Sequence, residues 1–183
     1  MNEFNFSPFP ILHTERLTLR SITMDDAPKF FLLRTDPDVT KYADRFPPES
    51  MEEIHVFMNS IQSGIAKNEL IAWAICEKGK TEFIGTITFH KIYPQHHRAE
   101  IGYQLLPQYW RKGIMSETLQ AVIDYGFNEM KLHSIEAQTN PHNEGSIQLL
   151  LKHGFVQEAL FRENYFFDGK FLDTPVFSLL NKK

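Results

Sequence analysis

The sequence predicts one mixed α/β domain, and three observations carry that reading. Runs of strand length, alternating or densely apolar, recur at residues 16–20, 70–77, 82–92, 100–106 and 134–139. Amphipathic stretches of helical length lie between them. A chain of 183 residues with 42% apolar residues and 16 Phe can bury roughly 70% of the surface its unfolded form exposes, enough for a single core. Neither a repeat, a low-complexity segment nor a linker interrupts it, so residues 1–183 read as one domain with its core at about 11–180.

Taken in order, residues 16–20 (Arg-Leu-Thr-Leu-Arg) alternate with period two and form a first strand. Thr23 is placed to cap a helix whose first turn holds Asp25 and Asp26. Pro37, Pro47 and Pro48 make residues 36–48 a loop. A second helix follows from about Ser50 to Lys67. Strands at 70–77 and 82–92 join through a turn near Gly79. Pro94 and the pair His96-His97 occupy the connection to a strand at 100–106. After two further strand-to-helix units come a strand from Phe155, a turn at Asp168-Gly169 and a last strand to Leu180.

Residues 105–118 read Leu-Leu-Pro-Gln-Tyr-Trp-Arg-Lys-Gly-Ile-Met-Ser-Glu-Thr. The strand stops at Pro107, and a loop holding Arg111, Lys112 and Gly113 opens directly into a helix. A glycine there lets backbone N–H groups converge, and the helix adds the positive end of its dipole. Such a junction suits an anion, most naturally a pyrophosphate whose tail would lie along the preceding strand. A plain strand-to-helix connection with solvated basic residues would read the same. Neither Gly-x-x-x-x-Gly-Lys-Ser/Thr nor Gly-x-Gly-x-x-Gly occurs, which argues against a P-loop NTPase or a dinucleotide oxidoreductase.

The remaining composition narrows the classes. A net charge of −4 gives no general reason to expect nucleic-acid or anionic-membrane partners. The single Cys76 cannot form an intramolecular disulfide and reads as a structural thiol. Without an apolar run of transmembrane length or a secretory segment, a soluble, cytoplasmic protein is expected. The eight histidines show no metal-ligand spacing: His96 and His97 are adjacent, and His133, His142 and His153 lack paired acidic or Cys ligands. No metal is expected. His90 and His153 receive no role.

A second segment, residues 139–155, reads Thr-Asn-Pro-His-Asn-Glu-Gly-Ser-Ile-Gln-Leu-Leu-Leu-Lys-His-Gly-Phe. A strand ends at Pro141, a short helix runs to Lys152, and Gly154 is placed to terminate it. Together with residues 14–20, residues 99–103 (Ala-Glu-Ile-Gly-Tyr) and the Trp110 loop, it resembles the GNAT superfamily of acyl-CoA-dependent N-acetyltransferases. Within that superfamily the chain is most similar to the RimJ/RimL branch, which includes ribosomal-protein N-terminal acetyltransferases. The matching segments span roughly residues 11–180. The resemblance implies one mixed, mostly antiparallel sheet in the order β-α-α-β-β-β-α-β-α-β-β, with helices on both faces. It also implies that the strands at 100–106 and 134–139 splay into a wedge that admits acyl-CoA.

The resemblance further implies roles. Backbone groups of Leu105 and Leu106 would pair with the pantetheine arm of acetyl-CoA as an added strand. Amides of Arg111, Lys112, Gly113, Ile114, Met115 and Ser116 would cradle its pyrophosphate. The family pattern Gln/Arg-x-x-Gly-x-Gly/Ala meets Trp110 at its first position and Met115 at its last, where a small residue is usual. Asn143 matches a cofactor-contacting asparagine, and as a helix N-cap it would serve the fold as well. Where many relatives carry a tyrosine that protonates the leaving thiolate, this chain has Leu150. Ser146, one turn earlier on the same face, is the candidate donor instead, or else a small residue allowing close approach.

For the base, Glu100 leads, with Gly102 and Gln104 on the same strand face. Glu136 is the alternative, Gln138 stands where some N-terminal acetyltransferases carry an acid, and a water could relay the proton. A Glu100 merely paired with Arg98 would leave the same signature. An α-amine with pKa near 8 is roughly 10% neutral at pH 7, against about 0.04% for a lysine near 10.4, a difference of about 3 kcal/mol. The acceptor is therefore expected to be a protein N-terminal α-amine, with a small-molecule amine second. A non-catalytic acyl-CoA-binding module is the rival of another class. Tyr42, Phe46 and Phe57 are expected to shape the acceptor site, and Glu49, Glu52 and Glu53 to be a solvated first helical turn. Phe161, Phe166, Phe167 and Phe171 are expected in the core, although a strand-rich C-terminal segment of this kind could also support a homodimer.

Overall fold

A computed structural model describes residues 4–182. Its strands are β1 (Leu12–His13), β2 (Leu17–Ser21), β3 (Ile71–Glu77), β4 (Gly85–Tyr93), β5 (Arg98–Leu105), β6 (Ser134–Gln138), β7 (Val156–Phe167) and β8 (Lys170–Leu180). Its α-helices are α1 (Ala27–Thr35), α2 (Pro37–Thr40), α3 (Met51–Ala66), α4 (Ile114–Asn128) and α5 (Glu144–Lys152). The strands form one sheet in the order β1-β2-β3-β4-β5-β6-β8-β7. Among the described residues, only β5 and β6 pair in parallel.

Alternation along the central strands sorts side chains to two cores. Trp73, Ile75, Ile87, Phe89, Ala99 and Ile101 join Leu119, Val122 and Ile123 of α4 in the larger one. Ala72 and Ala74 point the other way, toward Phe30 and Leu33 of α1 and Ile54 and Met58 of α3. β3 is thus covered on both faces, which is why its sequence is apolar from Ile71 to Cys76. Helix α3 forms where Ser50 accepts a bond from the Glu53 N–H and Ile54, Met58 and Ile61 recur on one face. In α4, Gly126 permits close docking, since a Cβ there would lie 2.9 Å from Cζ of Phe89.

β5 and β6 pair only at Arg98↔Ser134, Ala99↔Ile135 and Glu100↔Glu136. Beyond Glu100, β5 continues beside β4 while β6 turns away beside β8. That divergence is the splay that the resemblance implied.

Several local expectations are corrected. An eighth strand, β1, adds to the sheet edge. Met24–Asp26 is a 3-10 turn, and α1 begins only at Ala27. There the Asp26 carboxylate accepts from the Thr23 N–H at 2.9 Å and from Arg20. The 36–48 loop contains the single turn α2, because Asp36 accepts from the amides of Asp38 and Val39 and Pro37 fills the first helical position. β4 starts at Gly85 and β5 at Arg98, each a few residues from the expected bounds. Phe161, Phe166 and Phe171 are exposed, because β7 is the sheet edge and its hairpin with β8 lacks a covering layer. Phe167 is half-buried against Phe46, with ring centroids 4.8 Å apart.

Candidate active site

At the apex of the splay, Glu100 lies opposite His90 across β4 and β5. Its Oε1 is 2.9 Å from Nε2 of His90, and its Oε2 accepts from Nζ of Lys91 at 2.9 Å. Consecutive strand residues point to opposite faces, so His90 and Lys91 could not both reach one carboxylate on a regular strand. A bulge resolves this: the register shifts between His90 and Tyr93, and Lys91 has φ 49°. Glu100 is buried. Burial alone would raise its carboxyl, but the bonds from His90 and Lys91 outweigh it and hold the group below the ordinary carboxylate value. The hydrogen bond to Glu100 in turn raises Lys91. Glu136 stands beside Glu100 in register, 3.5 Å from Arg98, and accepts from Gln138.

Tyr103 packs against the α4 core, on the opposite face of β5 from Glu100. Its hydroxyl is 2.9 Å from Oγ of Ser146. Asn143 caps α5 and accepts from the Ser146 N–H at 3.1 Å, which fixes the serine's first-turn position. Burial pushes the Tyr103 phenol up to about 12, only partly offset by the bond to Ser146. Leu150 is fully buried in the same core, and β5 supplies the phenol that α5 lacks. A group threaded through the splay would meet the hydroxyl pair on the α4 face and the carboxylate cluster on the other. Three strand residues, about 10 Å, separate Glu100 from Tyr103 along β5.

The strand end is rearranged relative to expectation. The Leu106 N–H donates to Ile84 at 3.0 Å and its carbonyl accepts from Tyr109, so both its backbone groups are engaged. Nε1 of Trp110 donates to the Leu105 carbonyl at 2.6 Å. Because backbone groups alternate sides, Ile101, Tyr103 and Leu105 are the residues whose N–H and C=O face the splay. The groups open to an added strand are thus centred on Tyr103 and the Leu105 N–H, displaced from Leu106.

At the loop, Arg111 and Gly113 are left-handed, with φ of 58° and 76°. Gly113 is the α4 N-cap, and the first intrahelical bond runs from Glu117 to Gly113. The amides of residues 114–116 therefore project from the helix end. Arg16 clamps the junction: its Nε is 2.6 Å from Glu117, and its Nη1 donates to the Lys112 carbonyl at 3.0 Å. Despite the desolvation that would raise it, bonds from Thr14 and Arg16 hold the Glu117 carboxyl low. A Cβ on Gly113 would sit 3.3 Å from Nη2 of Arg16. Arg111 and Lys112 are exposed, Ile114 is buried, and Met115 packs half-buried against the main core. Ser116 Oγ is 2.8 Å from Nε2 of His153, whose imidazole is lowered by burial and then by Lys152. A groove of about 910 Å³ beside this junction is lined in part by Arg16, Gly113, Ser116, Lys152 and His153.

The sequence-derived candidates thus fall into two assemblies: Glu100 at the apex with His90 and Lys91, and Ser146, Asn143 and the loop on the α4 side. His90, Lys91 and Tyr103 entered through tertiary structure. Among the described residues, no group of three or more His, Cys, Asp or Glu is arranged to hold a metal, and no helix is long and apolar enough to cross a membrane.

Known proteins resemble this chain in sequence and fold. The acetyltransferase (GNAT) domain family matches residues 16–156. The uncharacterized N-acetyltransferase YoaA of Bacillus subtilis is 39% identical over 178 residues, covering 96% of this chain and 99% of YoaA. The crystal structure of a GNAT-family acetyltransferase from Bacillus anthracis superposes with a TM-score of 0.84 at 30% identity, over 95% of this chain and all of that one. A spermidine N-acetyltransferase from Vibrio cholerae, solved in complex with CoA and spermine, superposes at 0.82 with 25% identity, over 93% and 98% of the two chains.

Proposed function

The chain belongs to the GNAT acetyltransferase family, and from that premise we propose that it moves an acetyl group from acetyl-CoA to a protein N-terminal α-amine, as in the RimJ/RimL branch. The supporting observation is the splay, flanked on one face by the Tyr103–Ser146 hydroxyl pair and on the other by Glu100 with His90.

The residues present fit acetyl-CoA. Tyr103 and the Leu105 N–H offer a strand edge for the pantetheine arm. The helix-end amides of residues 114–116, with Arg111 and Lys112 beside them, suit a pyrophosphate, and the left-handed Gly113 turns the chain into that helix end. The bound molecule supplies an activated thioester carbonyl and a thiolate leaving group. Asn143 holds Ser146 in place, and the Ser146–Tyr103 pair donates the proton that the departing thiolate takes up.

Glu100, bonded to Lys91 and kept ionised, is a weak proton acceptor. It serves best by orienting His90, and the imidazole takes the proton from the ammonium. An imidazole is better matched to an α-amine than to a lysine. Glu136, tied to Arg98 and Gln138, is the secondary candidate.

Likeness to a spermidine N-acetyltransferase favours a small-molecule amine as the second reading. Incubation with acetyl-CoA and a panel of N-terminal peptides and polyamines separates the two. Acetylation of the peptide α-amine, with internal lysines spared, is the expected result, and turnover of polyamines alone would replace this reading with the second. The exposed Phe161, Phe166 and Phe171 on the β7–β8 hairpin are where a second copy would dock, which sedimentation of the wild type against Phe166→Glu would test.

A further inference from the structure

Arg34, in the last turn of α1, and Arg45, in the segment before α3, lie on the α1/α3 face of the sheet. Nη2 of Arg45 donates to Oε1 of Gln104 at 3.0 Å, and its Nε is buried with no hydrogen-bond partner. The Arg34 guanidinium stacks on Phe57 at 4.1 Å, with Phe30 at 6.0 Å. Neither arginine forms an ion pair among the described residues, whereas Arg16, Arg20, Lys29, Lys91 and Arg98 each hold a carboxylate. This is notable in a chain with 23 acidic and 19 basic residues. The nearest acid in sequence, Asp44, faces elsewhere: its Oδ1 accepts from Asn140 and its carbonyl from Tyr165.

A partly buried, unneutralised guanidinium is costly unless something supplies its counter-charge. Burial, with the positive charge of Arg45 adding to it, pushes Arg34 down to about 10, and burial lowers Arg45 as well. Both nonetheless remain cationic at neutral pH. Glu100, Gly102 and Gln104 share one face of β5. Arg45 therefore sits about 13 Å along the strand from the base cluster, on the side opposite the α4 loop that suits a pyrophosphate.

We propose that Arg34 and Arg45 form an anion subsite for the acceptor, which carries a carboxylate or phosphate one to three residues beyond the amine that is acetylated. The inference rests on the acetyltransferase reading for the identity of the amine, but the subsite itself can be tested by binding alone. Planar forks of this kind recognise carboxylates bidentately and repel a polycation.

The test titrates protein saturated with CoA, in a calorimeter, with peptides that share an N-terminal serine. Their next three positions are all Glu, all Gln or all Lys. Free dicarboxylic amino acids and spermidine form a parallel arm. The Glu peptide should bind about tenfold more tightly than the Gln peptide, and the Lys peptide and spermidine more weakly than either. The margin should shrink as salt rises. Arg45→Gln and Arg34→Gln should each erase the preference for Glu while leaving CoA affinity unchanged. Tighter binding of the free dicarboxylates than of the Glu peptide would assign the same subsite to a small acceptor.

Equal binding of the three peptides by wild type would overturn the proposal without any variant, as would preference for spermidine. A preference retained in both variants would overturn it too. Acetyl transfer to the same panel is measured separately. Charge-selective binding without transfer would reject the acetyltransferase reading and keep the subsite, and transfer without charge selectivity would do the reverse.

Discussion

Single side chains divide the chemistry. Ser146→Ala and Tyr103→Phe each remove one hydroxyl of a bonded pair, and each should lower kcat about 100-fold. The double variant should be little worse than either single one, because a relay broken once is broken. Acetyl-CoA affinity, read by calorimetry, should stay within about twofold in all three. Glu100→Gln and His90→Gln act at the other face. Loss of His90 should lower kcat/KM about 100-fold, whereas Glu100→Gln should lower it less and leave turnover measurable. Glu100 also carries a stability signature. Its folded carboxyl lies below its unfolded value, so its contribution is present above about pH 4.3 and is lost as pH falls through the lower folded value. Thermal melts at pH 7 should place Glu100→Gln below wild type by about 2 kcal/mol, and melts near pH 3 should show the gap closing.

Elements hold those side chains by few but definite contacts. The α4 N-terminus is fixed by Gly113 and the Arg16–Glu117 clamp, which tie the loop to the start of β2. Gly113→Ala forces a Cβ into a left-handed residue beside Arg16. It should cost about 1–2 kcal/mol of stability and weaken acetyl-CoA binding measurably. Arg16→Ala keeps the backbone conformation but frees the loop. It should raise the acetyl-CoA Kd several-fold while leaving peptide preference intact, which distinguishes a cradle defect from an acceptor defect.

At this scale the sequence was most informative where one residue type suffices. The helix from about Ser50, the Gly113 junction and the Asn143 cap were all legible. What escaped it depends on partners distant in the chain. His90 and Lys91 meet Glu100 only through the β4–β5 register and a bulge, neither of which has a signature in one sequence. Tyr103 could be counted on the same strand as Glu100, but its role needed the α5 serine 43 positions away. Edge position, equally invisible, left Phe161, Phe166 and Phe171 in solvent.

For the whole molecule, the splay couples stability to ligand. Two sheet segments, residues 101–105 and the end of β6, lose each other as partners beyond Glu100, so a ligand strand between them completes hydrogen bonding that the fold leaves open. Binding at 100 times Kd adds about 2.7 kcal/mol to the folded state, which for a chain of this size raises Tm by about 5–10 °C. Hydrogen exchange should locate the gain. Amides of Ile101, Tyr103 and Leu105 and of residues 114–116 should slow on adding acetyl-CoA, while α1 and α3, across the sheet, should change little until an acidic peptide is added. Protection confined to α1 and α3 with acetyl-CoA alone would mean that the donor enters from the face assigned to the acceptor, and the division of labour between the two faces would have to be reversed.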